Sequence, residues 1–287
     1  MTQADLGGLD AATLARVIHW ALAEDVGGGD VTSNAVIDAD VHFSGIMAAR
    51  EDMVVAGLEI AREIFHAVSP EITLTAIARD GDAAPAGDVL ARLEGPARAL
   101  LCAERTALNM LQHLSGIATL TRRYVDALAG TGAVLLDTRK TTPGLRMVEK
   151  YAARMGGAKN HRMGLDDAVL IKDNHLAVTR GVAEAVTRAK AAWRGEIEVE
   201  CDTLGQVREA LDAGADAILL DNMTLDELRE AVAMIGDAAR SEASGGVTLD
   251  TIRAIGQTGV QTISVGRITQ SAPAVDIGLD WALNESA

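Results

Sequence analysis

Val134-Leu135-Leu136-Asp137-Thr138-Arg139-Lys140 and Ala168-Val169-Leu170-Ile171-Lys172 each run from an apolar stretch into charge. Short apolar runs without polar alternation read as strands buried on both faces, as in a parallel sheet. Cations at the exits of such strands are costly to hold unless an anion compensates them. The two segments, with Lys159-Asn160-His161-Arg162 between them, therefore point to a small polyanionic ligand at one end of a sheet.

Outward from these segments the pattern repeats. Strands are expected at 133–137, 168–172, 196–201, 216–221, 240–244 and 260–265, with helices at 144–155, 180–193, 203–213, 224–235 and 248–257. Such alternation implies a parallel sheet covered by helices. An open doubly wound sheet would gather its ligand groups at one switch point. Here Asp137 to Lys140, Lys172, Glu200, Asp221, Ser244 to Gly246 and Gly266 stand at the exits of successive strands, which favours a barrel. The weakest strand is Ala239-Arg240-Ser241-Glu242, which lacks an apolar run.

Upstream, Leu14 to Ala23 is helical in spacing and Glu24 to Thr32 reads as a glycine-broken loop. Strands at 42–49, 53–55, 72–78 and 89–93, a helix at 58–68, and turns at Asp80-Gly81-Asp82 and Pro85-Ala86-Gly87-Asp88 make an antiparallel sheet folded around a helix. Residues 99–128 read as one long helix broken near Gly116. The expected organisation is an α/β sandwich domain at 1–110, joined by the C-terminal segment 271–287, and an α/β barrel domain at 111–270.

Composition narrows the function. A chain of 287 residues with 48% hydrophobic content has ample core. A formal net charge of −15 argues against nucleic-acid binding, which needs a basic stripe, and 2% aromatics leave no platform for stacked bases. Only Cys102 and Cys201 occur, both in internal-looking segments, so a reducing compartment is expected. Met1 to Asp10 lacks an apolar signal region and no run approaches the ~20 apolar residues of a membrane span. A cytoplasmic protein is expected.

Arg139, Lys140, His161, Arg162 and Lys172 form a mixed basic set. Guanidinium forks bind carboxylate or phosphate bidentately and lysine adds a mobile charge, which suits a ligand with several anionic groups. Glu200 and Asp221 end two strands. They suit Mg²⁺, stabilisation of a developing cation, or ion pairing with the basic set. Glu196, Glu198 and Glu200 share one strand face, and only Glu200 reaches the rim. Ser244-Gly245-Gly246 and Val265-Gly266 stand at strand-to-helix turns, where glycine lets backbone N–H groups approach a phosphate. His161 reads as an acid or base, a carboxylate donor or a metal ligand. Lys172 alone would also fit a Schiff-base lysine, a reading that leaves the second lysine and the arginines without a use.

Asp137-Thr138-Arg139-Lys140-Thr141-Thr142-Pro143-Gly144-Leu145-Arg146, Asn160-His161-Arg162-Met163-Gly164-Leu165 and Ile171-Lys172-Asp173-Asn174-His175 resemble the quinolinate phosphoribosyltransferases, a type II phosphoribosyltransferase family. The resemblance runs from Glu24-Asp25 and Gly29-Asp30-Val31-Thr32, through Ala103-Glu104-Arg105-Thr106-Ala107-Leu108-Asn109 and Leu114-Ser115-Gly116-Ile117-Ala118-Thr119, to Ser271-Ala272-Pro273. It implies an α/β sandwich packed on an open, incomplete α/β barrel. The implied substrates are quinolinate and phosphoribosyl pyrophosphate with Mg²⁺; the products are nicotinate mononucleotide, pyrophosphate and carbon dioxide, in NAD biosynthesis.

The same resemblance assigns residues. It places Arg139, His161, Arg162 and Lys172 around the quinolinate carboxylates, and Lys140 and Lys172 near phosphates, with Thr138 in the same motif. Glu200 and Asp221 fall near the ribose and metal. Lys140, Lys172, Glu200 and Asp221 thus form the expected catalytic group. Ser244-Gly245-Gly246 and Val265-Gly266 fall at the 5′-phosphate, where the adjoining Arg267 either strengthens phosphate binding or projects to solvent. Arg105 matches an arginine that enters the neighbouring subunit's site, implying a homodimer, with assembly into hexamers left open. Three positions depart from the family pattern: Gln270 where histidine is frequent, Arg267 where a small residue is usual, and Ser241 in a normally apolar strand. The nearest competing reading is a pyrophosphorylase-like relative associated with molybdenum transport, which shares the Asp-Thr-Arg-Lys and His-Arg signatures but typically departs around Lys172, intact here. A non-catalytic anion-binding barrel is the other class, and it leaves Glu200 and Asp221 without a use.

Overall fold

The computed structural model describes residues 9–282, so the outermost parts of the ranges 1–110 and 271–287 lie outside the described residues. Its strands, in chain order, are β1 (His42–Ala49), β2 (Met53–Val54), β3 (Thr73–Ala76), β4 (Ala83–Ala84), β5 (Val89–Pro96), β6 (Val134–Leu136), β7 (Val169–Ile171), β8 (Ile197–Cys201), β9 (Ala217–Asp221), β10 (Arg240–Ser244), β11 (Thr262–Ser264) and β12 (Ile277–Ala282). Two compact units divide the chain. One takes the residues up to Arg122, Thr141–Gly157 and those from Ile268 onward; the other takes Arg123–Lys140 and Ala158–Arg267.

The first unit holds an antiparallel sheet in the order β12-β1-β5-β3 and a small β2-β4 pair. Helix Leu58–Val68 buries Leu58, Ile60, Ala61, Ile64 and Phe65. Its first N–H groups, on Gly57 and Leu58, donate to the Asp80 carboxylate at 2.8 and 3.0 Å, which satisfies donors that a helix start leaves open. The segment read as a loop at 24–32 is shorter than expected. Helix Ala11–Val26 runs into it, and Asp30 then caps a second helix, Val31–Val36, by accepting from Ser33 N at 2.9 Å.

Helix Ala97–Ala127 is continuous, and the break expected at Gly116 is absent. A Cβ at Gly116 would run into the carbonyl oxygen of Pro273, so this glycine serves close approach of two backbones. The expected boundary at 110 falls inside this helix, whereas the compact units part at 122/123. Helix Arg146–Gly156 follows β6 in sequence yet belongs to the first unit. There its fully buried Glu149 bonds His113 Nε2 at 2.9 Å, and Gly156 packs against Thr121.

The second unit is a six-stranded sheet in the order β6-β11-β10-β9-β8-β7, with every neighbouring pair parallel. Its first and second strands, β6 and β7, are the two edges, so the barrel is open between them. The strand faces differ. Leu135, Val199, Ile218, Leu220, Ala243 and Ile263 make one buried apolar face. The opposite face carries Glu198, Glu200, Leu219, Asp221, Arg240, Glu242, Ser244, Thr262 and Ser264, aligned by pairings such as Glu242 with Leu219 and with Thr262, and Ser244 with Asp221. The polar rim and this polar face belong to the same unit.

Candidate active site

Four charged groups meet at the carboxyl ends of β6 to β9. Lys172, just beyond β7, places Nζ 2.5 Å from Glu200 Oε2 on β8. Asp221, ending β9, is raised above the usual carboxylate range: burial comes first, then repulsion from Glu200 and Asp202, against attraction from Lys172 and Lys140. Lys140, exposed beyond β6, donates its backbone N–H to Thr138 Oγ1 at 3.0 Å. Gly266, beyond β11, lies so near that a Cβ there would sit 2.7 Å from Lys140 Cδ and 3.3 Å from Thr138 Oγ1. The exits of the two neighbouring strands are therefore in close contact.

The loops after β9 and β10 interlock as well. Asn222, left-handed at φ 54°, donates N–H to Ser244 O at 3.0 Å and its side-chain amide to Asp221 Oδ2 at 2.6 Å. Gly245 has φ +92° and no room for a Cβ against the Asn222 side chain, and Gly246 is also left-handed. This turn needs glycine for both sterics and backbone sign. Val265 is buried behind the rim, whereas Arg267 is exposed and near Tyr124. Arg105 lies exposed on helix Ala97–Ala127 in the first unit.

Arg139 and Arg162 are partly exposed and close enough to repel. Burial, then the charge of Arg139, lowers the Arg162 guanidinium below its usual range, with Asp167 and Glu198 opposing. The Arg162 segment is held from several sides. Its Nη1 donates to Ala168 O at 3.2 Å and its backbone N–H to His161 Nδ1 at 2.8 Å. Fully buried Asp137 accepts the His161 N–H at 2.8 Å and the Asn160 side-chain amide. His175 likewise accepts the Lys172 N–H on Nδ1 at 2.8 Å.

His161 turns its other ring nitrogen toward the polar face of the sheet, where Nε2 lies 2.9 Å from Glu198 Oε2 and 3.6 Å from Glu242 Oε1. Arg240 completes the cluster, with contacts to Glu196 at 2.6 Å, Glu242 at 2.9 Å, Thr262 Oγ1 at 3.0 Å and Glu198 at 3.4 Å. Burial pulls Arg240 down, but the three carboxylates outweigh it and hold the guanidinium high. Burial and Glu198 push the Glu242 carboxyl up to about 6, while His161 and Arg240 overcome burial and hold Glu198 low. Donor atoms of His161, Glu198 and Glu242 lie within 4.8 Å of one another, a metal-like spacing. Arg240 already supplies positive charge to both carboxylates.

The sequence reading did not select Glu198, Glu242 or Arg240, and it took Asp137 only as a strand-exit residue. The alternation Glu196-Ile197-Glu198-Val199-Glu200 carried the signal for Glu198, but only the rim member was kept.

Family models for the quinolinate phosphoribosyl transferase N-terminal domain, over residues 30–115, and C-terminal domain, over residues 117–280, match the chain. It is 43% identical to a probable nicotinate-nucleotide pyrophosphorylase [carboxylating] of Bacillus subtilis over 95% of each chain. It is 42% identical to a quinolinate phosphoribosyltransferase [decarboxylating] of Nicotiana tabacum over 92% of this chain and 81% of that protein. The solved structure of the nicotinate-nucleotide pyrophosphorylase from Francisella tularensis superposes with a TM-score of 0.89 at 38% identity, covering 94% of this chain and 96% of that one. With both domain models matched in order and such identity along nearly its whole length, the chain belongs to the quinolinate phosphoribosyltransferase family.

Proposed function

We propose that the rim of the open barrel transfers phosphoribosyl from phosphoribosyl pyrophosphate to quinolinate with decarboxylation, giving nicotinate mononucleotide, pyrophosphate and carbon dioxide. The observation that carries this reading is the closeness of Arg139 to Arg162, and of Lys140 and Lys172 to Asp221, on an otherwise acidic chain. Two guanidinium forks near one another suit a ligand with two carboxylates, which quinolinate supplies.

Arg139, Arg162 and Lys172 hold the dicarboxylate in register, while Ser244 to Gly246 and Val265 to Arg267, with Thr138 and Lys140, hold phosphate groups. Glu200 and Asp221 face the ribose, where departure of pyrophosphate leaves oxocarbenium character that carboxylates stabilise. The pyridine nitrogen attacks that carbon. Once quaternised, it stabilises electrons left on the adjacent ring carbon as carbon dioxide departs, and a proton then fills that position. Positioning of two bound reactants contributes up to ~7–11 kcal/mol in favourable cases. No general base is needed for the attack.

Mg²⁺ fits the acidic pair, because Asp221 is raised partly by Glu200 and a divalent cation relieves that repulsion. When bound, the ion neutralises charge on the leaving pyrophosphate. Glu200 and Asp221 would hold it directly or through water. Arg105 is proposed to complete the site of a second subunit in a homodimer. Equal mixing of inactive Arg105→Ala and Lys172→Ala subunits should then restore about a quarter of wild-type sites. A cytoplasmic location agrees with two free cysteines, Cys102 and Cys201, and among the described residues no helix is long and apolar enough to cross a membrane.

The assay combines protein, quinolinate, phosphoribosyl pyrophosphate and Mg²⁺, with nicotinate replacing quinolinate as control. Nicotinate mononucleotide and carbon dioxide should appear in equal amounts, and only with quinolinate. No turnover by correctly assembled protein would overturn the reading.

A further inference from the structure

We propose that His161 is a positioning residue that faces away from the substrate, and that Glu198, backed by Glu242 and Arg240, sets the Arg162 guanidinium through it. The proposal rests on the reading that Arg162 binds a quinolinate carboxylate. Both ring nitrogens of His161 are engaged within the protein. Nδ1 accepts the backbone N–H of Arg162 at 2.8 Å, so the proton of a neutral ring sits on Nε2 and points at Glu198 Oε2 at 2.9 Å. The side chain therefore links a buried carboxylate to the backbone of the arginine one residue on.

The carboxylate is itself fixed. Glu198 is 3% exposed and Glu242 fully buried, and Arg240 contacts both. The Arg240 guanidinium is tied further to Glu196 and Thr262, so the assembly spans β8, β10 and β11 and cannot shift without breaking several charge-assisted bonds. Glu242 Oε1 is a buried oxygen with no hydrogen-bond partner, aimed at His161 Nε2 from 3.6 Å. Asp137 holds the same segment by the His161 backbone N–H, so ring and backbone are anchored independently.

Removing Glu198 frees the ring to place its proton on Nδ1, where it meets the Arg162 N–H head-on. The arginine segment must then move, and only the substrate carried by Arg162 should notice. Glu198→Ala is expected to raise the quinolinate KM about 10-fold or more, since small misplacements of positioning groups have large effects. The KM for phosphoribosyl pyrophosphate should stay within about twofold, and Glu198→Gln, whose amide oxygen still accepts from Nε2, should recover most of the loss. Equal changes in both KM values, or an unchanged quinolinate KM in folded Glu198→Ala, would overturn the proposal. Arg162→Ala is the control: if it leaves quinolinate KM unchanged, the carboxylate reading of Arg162 has failed instead.

Histidine-selective ¹⁵N spectroscopy of the wild-type protein needs no variant to fold. A neutral His161 protonated on Nε2 is expected, and a ring carrying its proton on Nδ1 would overturn the proposal.

Discussion

β9 and β10 are hydrogen-bonded neighbours of one sheet, paired from Arg240 with Ala217 to Ser244 with Asp221, yet one reads Ala-Ile-Leu-Leu-Asp and the other Arg-Ser-Glu-Ala-Ser. Their burial is nearly the same. Leu219 is 4% exposed, and Glu242, directly opposite, is fully buried. β9 is held by apolar transfer from water; β10 is held by an ion network that substitutes for it. The difference teaches that a strand inside this barrel is defined by what its neighbours offer. Glu196, Glu198, Thr262 and His161 together make room for a polar strand that has no apolar run of its own.

The largest effect expected from this contrast lies at the strand exits. Burial, and then the charge of Glu200, raises Asp221, the single acid of β9, above the usual carboxylate range. Asp221→Asn should cut kcat by about 10²–10³, the scale of one lost electrostatic group. The fold should meanwhile hold steady or become more stable near neutral pH, because a raised carboxylate favours its neutral form. Rate and thermal melting measured on one sample separate the two; a loss of both would mean that Asp221 is structural.

Next come the strand bodies. Arg240→Ala should cost roughly 3–5 kcal/mol, because it strands buried Glu198 and Glu242, while Leu219→Ala should cost about 2–5 kcal/mol by leaving a cavity. The two strands should differ in the remedy. Replacing Glu198, Arg240 and Glu242 together by apolar residues of similar volume should recover stability but not quinolinate affinity, because His161 loses its partner. Denaturant unfolding of the single and triple variants tests this. A triple variant no more stable than Arg240→Ala would show that the network contributes net stability.

The smallest effect is a pH dependence confined to β10. The Glu242 carboxyl is raised from 4.5 to about 6, so the folded state favours its protonated form. That contribution is fully present below about 4.5 and is lost as pH rises through about 6, a change on the order of 2 kcal/mol. Glu242→Gln should remove this slope between pH 4.5 and 6. Leu219→Met, in β9, should leave it intact. Unfolding curves at several pH values read both variants.

Legibility in the sequence follows the same division. Apolar strands declared themselves: β7, β8 and β9 fall within one residue of the spans expected from their runs at 168–172, 196–201 and 216–221. The helix at Leu58–Val68 falls where its spacing put it. β10 was visible only through its place in the βα rhythm, and Ser241, which interrupts the pattern, is buried and exchanges hydrogen bonds with Gln261. Rim charges were legible because charge after an apolar run is conspicuous. Glu198 was hidden by reading its strand for its end alone, and Glu242 by a strand that looked too polar to be internal. The break placed at Gly116 has another cause. Local signals in a long helix do not reveal which distant backbone packs on it, and Pro273 is 157 residues away in sequence.

A crystal structure with quinolinate bound tests the central claim most directly. Its carboxylates should rest on the Arg139 and Arg162 guanidinium groups beside Lys172, with the His161 ring still turned to Glu198. Quinolinate bound to His161 Nε2, or bound away from these arginines, would contradict it.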